Sequence, residues 1–508
     1  MKKGIELSLI FILIIGAGIA SIIFLSKNKN ESNIEDNTTT TNTTVELIEE
    51  DYTRITSTTE VIEDVTTTTT TVTSNSTTTT TAKKSTSTTS TSKTTTSTTT
   101  TKMPKDPKEV QKLINNSKSY MSYEDRVNIE IPDKYNTGLR NKNISKYVEE
   151  SNLGGIKYIV DKRGTKPIIL LRTADLNAMS GNYLIENIDF TGYTIRLYTG
   201  NTNNKVVIKF NNCKFDELKN AHNQDDDITV VVEHSQLIHV DGSNITINYS
   251  QIGGGSSDGI NPFKNFYVNN SYIRDISGYT TGGEAHYDGM QIYGSNTDTS
   301  FLCHDVHFYN TRFELPYIIK VVNGVPSTSY VNAPIMVQLE FNNATNISFN
   351  KIYVNGGGYT IYNHAVKGTS MYKVSYKDIY VGYGGLYGII YPMQQSDVDN
   401  STFNNIGRYD SLMVSSVFKD SKGVHVITTN DTLVERKLTC VANNQTYNFN
   451  VPAHPKLSKA TATQYSFDSL PYDIDYTIKN TSISNISCYD TTNTTQLNND
   501  NLIKTKRL

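Results

Sequence analysis

Acid–base chemistry needs carboxylates held close enough to split their protonation states, and two segments of this chain offer such a pair. Asp258-Gly-Ile-Asn261 and Asp288-Gly-Met-Gln291 share one pattern. On neighbouring strands they would lie about 4.8 Å apart. Two carboxyls at that range push one pKa up, which leaves an acid and a base at the same pH. His286 precedes Asp288 by two residues and in a strand would share its face. Asp258, Asp288 and His286 are therefore the candidate catalytic residues. Adding Gln236-Leu-Ile-His239 and Tyr317-Ile-Ile-Lys320 to the alignment gives two columns. One column holds Gln236, Asp258 and Asp288. The other holds His239, Asn261, Gln291 and Lys320, the candidate substrate-binding residues. Plainer readings stand beside this one. Asp-Gly is a frequent turn dipeptide, stacked Asp and Asn side chains can satisfy one another, and a carboxylate pair with backbone oxygens can hold Ca²⁺. Apart from that Ca²⁺ alternative no cofactor is expected. None of Cys213, Cys303, Cys440 and Cys488 stands in a metal spacing, so they read as buried thiols or disulfides. The Tyr-rich stretches 359–362 and 383–391 could stack on sugar rings or simply form strands.

These residues need strands to hold them, and a repeat supplies the strands. Alternating residues lead into a polar bend, after which apolar residues return. The pattern occurs at Val207–Phe215, Asn244–Ile252, Asn265–Ile273, Asp305–Phe313, Asn346–Val354 and Tyr372–Val381, with a weaker copy at Asp397–Ile406. The spacing is about 20–30 residues, or twice that where a copy is skipped, which is the scale of solenoid repeats. One such coil cannot bury its own apolar face, so coils must stack. Gly253–Gly255, Gly282-Gly283 and Gly356–Gly358 break the strands. Asp106-Pro107 opens a short helix, with Val110, Leu113 and Ile114 on one face, ahead of the β region.

This repeat resembles the right-handed parallel β-helix proteins of the pectin lyase-like superfamily, over roughly Pro167 to Val417. His286-Tyr-Asp-Gly-Met-Gln291 also resembles a His-x-Asp-Gly-Ile-Gln motif of some β-helix proteins, many of them carbohydrate-active or phage-type surface proteins. The resemblance implies an all-β fold, a polysaccharide or cell-surface glycan as partner, and lyase or glycoside hydrolase activity through His286, Asp288 and Gln291. The catalytic sets of polygalacturonases and pectate lyases are absent, with no Gly-His-Gly and no Arg-Ile-Lys following, which argues against pectin itself.

Before the β region the chain reads as an exported one. Residues 7–25 are apolar apart from Ser8 and Ser21, close to the ~20 residues that cross a bilayer as a helix. A signal-anchor over 5–26, after a tail of 1–4, fits the full run better than cleavage near Gly18-Ile19-Ala20. Lys3-Gly4 also resembles a prepilin-type signal. Residues 27–102 are dominated by Thr and Ser, have nothing to bury, and read as a disordered, O-glycosylated stalk. Sequons at Asn244, Asn248, Asn269, Asn343, Asn346, Asn400, Asn480 and Asn485 agree with export and N-glycosylation. The expected order continues with a β-helix and N-terminal cap at 103–408, final coils or a C-terminal β cap at 409–491, and a disordered tail at 492–508. A formal net charge of −3 gives no basic field for nucleic acid. Abundant Tyr (33) and absent Trp fit strands, and with the Asn/Thr bias suit a viral or archaeal protein displayed on a host or virion membrane. The alternative to a carbohydrate-active protein is a non-catalytic adhesin or envelope protein.

Overall fold

The computed structural model describes residues 103–508 apart from 150–152, 173–180, 199–204, 221–227, 277–286, 295–301, 455–472 and short breaks at 157, 256, 275, 316–317, 323–324, 330, 367 and 433. The expected tail, membrane segment and stalk (1–102) lie outside the described residues. Among the described residues no helix is long and apolar enough to cross a membrane.

The repeat folds as a parallel β-helix, in which 22 strands join into one sheet. Each coil contributes to three ladders. The first runs from Ile168–Arg172 through Ile260–Pro262, Met290–Ile292, Ile335–Leu339 and Tyr359–Ala365 to Gly388–Ile390. The second passes through Val206–Asn211, Ile228–Glu233, Ile245–Asn248 and Lys264–Asn269 to Ser401–Arg408. The third includes Gln251–Gly253 and Tyr272–Arg274. The repeat copies stack in register on the second ladder: Phe210, Val232, Ile247, Val268, Phe308, Phe349, Tyr376 and Phe403 form one column. Rings stack within it at 5.2 Å (Phe308–Phe349), 5.1 Å (Phe349–Tyr376) and 5.4 Å (Tyr376–Phe403). Burying one such side chain is worth ~1.5–3 kcal/mol, so the column is a principal source of cohesion. Between Val207–Phe215 and Asn244–Ile252 one copy is skipped, the coil of Ile228–Glu233, whereas the doubled spacings from Asn265 to Asn346 skip none. Phe266 pairs directly with Val306, and Val306 with Ile347. One of these longer coils carries an added antiparallel hairpin, Ile318–Val322 with Val325–Ser329.

The corner between the second and third ladders turns on a left-handed residue in every coil. Asn187, Asn212, His234, Tyr249, Asn270, Asn310, Lys351, Asp378 and Asn405 all have φ between 44° and 57°. Asn tolerates this conformation better than most side chains and commits its amide to the preceding coil. Asn212 donates to Asn187 Oδ1 (2.7 Å), Asn310 to Asn270 Oδ1 (2.7 Å) and Asn405 to Asp378 Oδ1 (2.7 Å).

The helix Pro107–Asn116 forms as expected, with Asp106 accepting from the Lys108 and Glu109 N–H groups. It caps the last coil, not the first. Asn115 Oδ1 accepts from the N–H groups of Ile389 (2.8 Å) and Ile390 (3.1 Å), and Val110 and Ile114 enter the core there. The chain then runs back along the Asn corner. Asn405 bonds Tyr120 O, Asn310 bonds Glu130 O, Asn212 bonds Asn141 O, and Ser145 N donates to Asn187 O. Residues 118–147 are thus a strap along the solenoid.

Parallel pairing stops at Arg408. Beyond it the chain forms an antiparallel subdomain with its own core and not further coils. One sheet joins Met413–Asp420, Gly423–Thr429 and Ile474–Ile478, and the other joins Gln445–Val451, Arg436–Ala442, Asn485–Asp490 and Leu502–Arg507. The last of these strands lies in the stretch expected to be a disordered tail. It is held because Ile503 is buried in the core and Lys504 donates to Ile129 O of the strap (2.6 Å). Cys440 and Cys488 form a disulfide across this sheet, while Cys213 and Cys303 are buried thiols whose pKa burial pushes up to about 12.

Candidate functional site

The two Asp-Gly segments do lie side by side, with Ile260 opposite Met290. Their carboxylates, however, serve the backbone. Asp258 Oδ1 accepts the Asp288 N–H (2.9 Å), and Asp288 Oδ1 accepts the Ala333 N–H one coil further on (2.7 Å). Asp288 is 1 % exposed. The glycine after each Asp is required by close approach: a Cβ on Gly259 would meet Gly289 O at 2.6 Å, and one on Gly289 would meet Pro334 O at 2.4 Å. Asp258 is half-buried, its pKa raised by burial, and its second oxygen accepts from Asn261 (3.1 Å). His239 reaches the same place, with Nδ1 2.7 Å from the Asp258 carbonyl. His286 lies outside the described residues.

The expected columns need correction at both ends. Val240 stands opposite Ile260 and Asp241 opposite Asn261, so the Gln236–His239 segment is slipped by two residues and His239 leaves the Asn261 column. Alternation fails at the corner inside Gln236–Gly242, where the burial order places two half-exposed residues, Ile238 and His239, in succession. Gln236 instead joins the third ladder and pairs with Gln251. Lys320 is in the added hairpin, and Met336 takes the place beside Gln291. The outward column of the first ladder therefore reads Lys219, Asp241, Asn261, Gln291, Met336 and Tyr362.

That face ends in an aromatic platform. Tyr362 and Tyr391 stack at 4.4 Å and 15°. Tyr359 sits edge-on to both, at 5.8 and 5.3 Å, and Tyr387 lies 5.6 Å from Tyr359 and is 57 % exposed. Polar groups fringe it: His364, 5.9 Å from the Tyr391 ring and paired with Asp397 (3.1 Å), and the exposed Gln394.

The sequons divide by placement. Asn244 is buried at φ 56° and accepts from Asn265, and Asn248 accepts from Asn269, whose amide nitrogen is thereby engaged. Asn346 donates to Asp305, though its side chain is exposed. Asn343 and Asn485 are exposed, and Asn400 and Asn480 are half-exposed.

A second polar centre had no sequence signal beyond charges at Arg312 and Glu314, two residues apart on a strand. Arg312 Nη1 donates to Asp473 Oδ1 (2.6 Å) and Nη2 to Glu314 Oε2 (3.0 Å), and Glu314 Oε1 lies 3.2 Å from His454 Nε2. All four are buried, where the β-helix meets the C-terminal subdomain. Their partners come from segments over a hundred residues away, which spacing cannot reveal. No known family model, characterised protein or solved structure matches the chain.

Proposed function

We propose that this chain is a single-pass, membrane-anchored, glycosylated surface protein whose β-helix binds polysaccharide without cleaving it. The observation that carries the binding is the platform of Tyr359, Tyr362, Tyr387 and Tyr391. Flat aromatic faces accept the C–H face of a pyranose, and a few polar groups at the edge orient its hydroxyls. His364 and Gln394 supply that edge. The helix is assigned right-handed, as crossovers between parallel strands nearly always are. The anchor rests on residues 7–25 and the extracytoplasmic placement on the stalk and sequons. Asn343 and Asn485 are the first glycosylation candidates, since their side chains are exposed.

Non-catalytic binding is preferred because Asp258 and Asp288 each commit one carboxylate oxygen to a backbone N–H of the next coil, and the second oxygen of Asp258 is held by Asn261. A pH-matched general acid needs a proton it can deliver to substrate, and a side chain 1 % exposed has no such access. The test is affinity electrophoresis of the purified protein across neutral and acidic polysaccharides. At least one glycan is expected to retard it, and Tyr362→Ala and Tyr391→Ala should each weaken binding about tenfold, the worth of one lost stacking contact. Retention unchanged in the double variant would remove the platform from the reading. Release of oligosaccharides that Asp258→Asn abolishes would establish cleavage instead.

A further inference from the structure

We propose that Glu314, Asp431 and His454 form a structural site for a divalent first-row metal ion, Zn²⁺ foremost, that joins the C-terminal subdomain to the β-helix. The inference is independent of glycan binding. Glu314 comes from a β-helix strand, Asp431 from the turn after Gly423–Thr429, and His454 from the segment after Gln445–Val451. One ligand atom from each lies within 4.8 Å of the other two, and all three residues are buried.

Glu314 Oε2 is occupied by Arg312 (3.0 Å) and Asn355 (3.3 Å), which fixes the carboxylate and turns Oε1 toward His454. Such orienting contacts to a ligand's far atom typify metal sites. Asp431 is 2 % exposed, yet its Oδ1 meets no hydrogen-bond donor among the described residues. A buried carboxylate oxygen left bare is costly and needs a counter-charge.

The junction buries four carboxylates, Asp133, Glu314, Asp431 and Asp473, against three cationic side chains, Arg274, Arg312 and Lys504, a formal excess of one negative charge. Arg312 does not block a cation, because Asp473 already pairs with it at 2.6 Å.

The donor set selects the ion. One imidazole nitrogen and two carboxylate oxygens suit Zn²⁺ and its neighbours, whereas Ca²⁺ takes about 6–8 oxygens. Zn–N and Zn–O bonds of about 2.0–2.2 Å give a tetrahedral ligand–ligand edge of roughly 3.3–3.6 Å. The 3.2 Å between His454 Nε2 and Glu314 Oε1 is already close to that edge. Depth inside an interface gives the ion a structural role.

The test uses the full-length protein after EDTA treatment, titrated with Zn²⁺ against a competing chelator while thermal unfolding is followed. One equivalent should bind and raise the unfolding midpoint. Asp431→Asn and His454→Gln, both close in shape, should each weaken binding at least about 100-fold, since groups that merely orient ligands already matter roughly 10–100-fold. X-ray absorption at the zinc edge of the unaltered protein should show one imidazole with oxygen donors, a readout that survives if the variants fail to fold. Absence of saturable uptake, uptake unchanged in both variants, or a spectrum with no imidazole or several would overturn the proposal.

Discussion

Asn310 shows how one residue type meets two demands at a solenoid corner. Its backbone sits at φ 44°, and its amide donates to Asn270 Oδ1 (2.7 Å) and to Glu130 O of the strap (2.9 Å). For a side chain without local hydrogen bonds the left-handed region costs about 1–2 kcal/mol. Asn310→Ala should therefore lower stability by about 2–3 kcal/mol in urea unfolding, through strain plus lost bonds. Asn310→Gly should recover the strain part, and equal losses for the two would assign the whole effect to the amide. Asp288 makes a similar case for the candidate acids. Asp288→Ala leaves the Ala333 N–H without its acceptor and should cost about 1–3 kcal/mol, while Asp288→Asn keeps an acceptor and should be nearly neutral. Glycan retention should survive Asp288→Asn, and its loss in a folded variant would return Asp288 to a chemical role.

At the scale of elements, the C-terminal sheet is joined by its own cross-link. Cys440 and Cys488 face each other on antiparallel strands and are 48 residues apart in sequence. Closing a loop of that length restricts the unfolded chain, so Cys440→Ser with Cys488→Ser should cost about 2–4 kcal/mol. Hydrogen exchange should quicken in Arg436–Ala442 and Asn485–Asp490 and stay slow in the β-helix column of Phe308, Phe349 and Tyr376, because the two have separate cores. Faster exchange throughout would mean that the two cores unfold as one unit.

At the scale of the molecule, strap, solenoid and subdomain meet around buried charge. Arg312 is fully buried between Asp473 of the subdomain and Glu314 of the β-helix. Arg312→Met removes one partner and leaves carboxylates uncompensated, so a loss of about 3–5 kcal/mol is expected from chemical denaturation. Asp133 of the strap accepts from Ser415 and Ser416 (2.7 Å each), and burial together with Asp473 pushes its pKa up to about 6. A raised carboxyl favours the protonated folded state. Its stabilising effect is complete below the unfolded value near 4, declines as pH rises toward 6, and is gone above. Asp133→Asn should flatten the stability profile between about pH 4 and 6 relative to the unaltered protein, and a parallel profile would exclude Asp133 as the source.

Whereas the coil of Ile228–Glu233, with Val230, Val231 and Val232 in succession, breaks the alternation, the coil repeat was legible where inward residues such as Phe210 and Ile247 alternate with polar neighbours and Asn or Asp marks the bends. The stacking of Asp258 over Asp288 was legible for the same reason. Across a corner the two-residue alternation breaks, so the slip at His239 and the hairpin around Lys320 were not. Nor could composition distinguish the Asn244 sequon from a corner amide, since both need the same residue. Local pattern thus dictates how each coil folds, because each coil buries its own alternate residues against the next. Only the tertiary structure decides where the first helix caps, which charges share the buried junction, and which tyrosines gather on one face. Those depend on contacts between segments up to hundreds of residues apart, to which no local period in the chain corresponds.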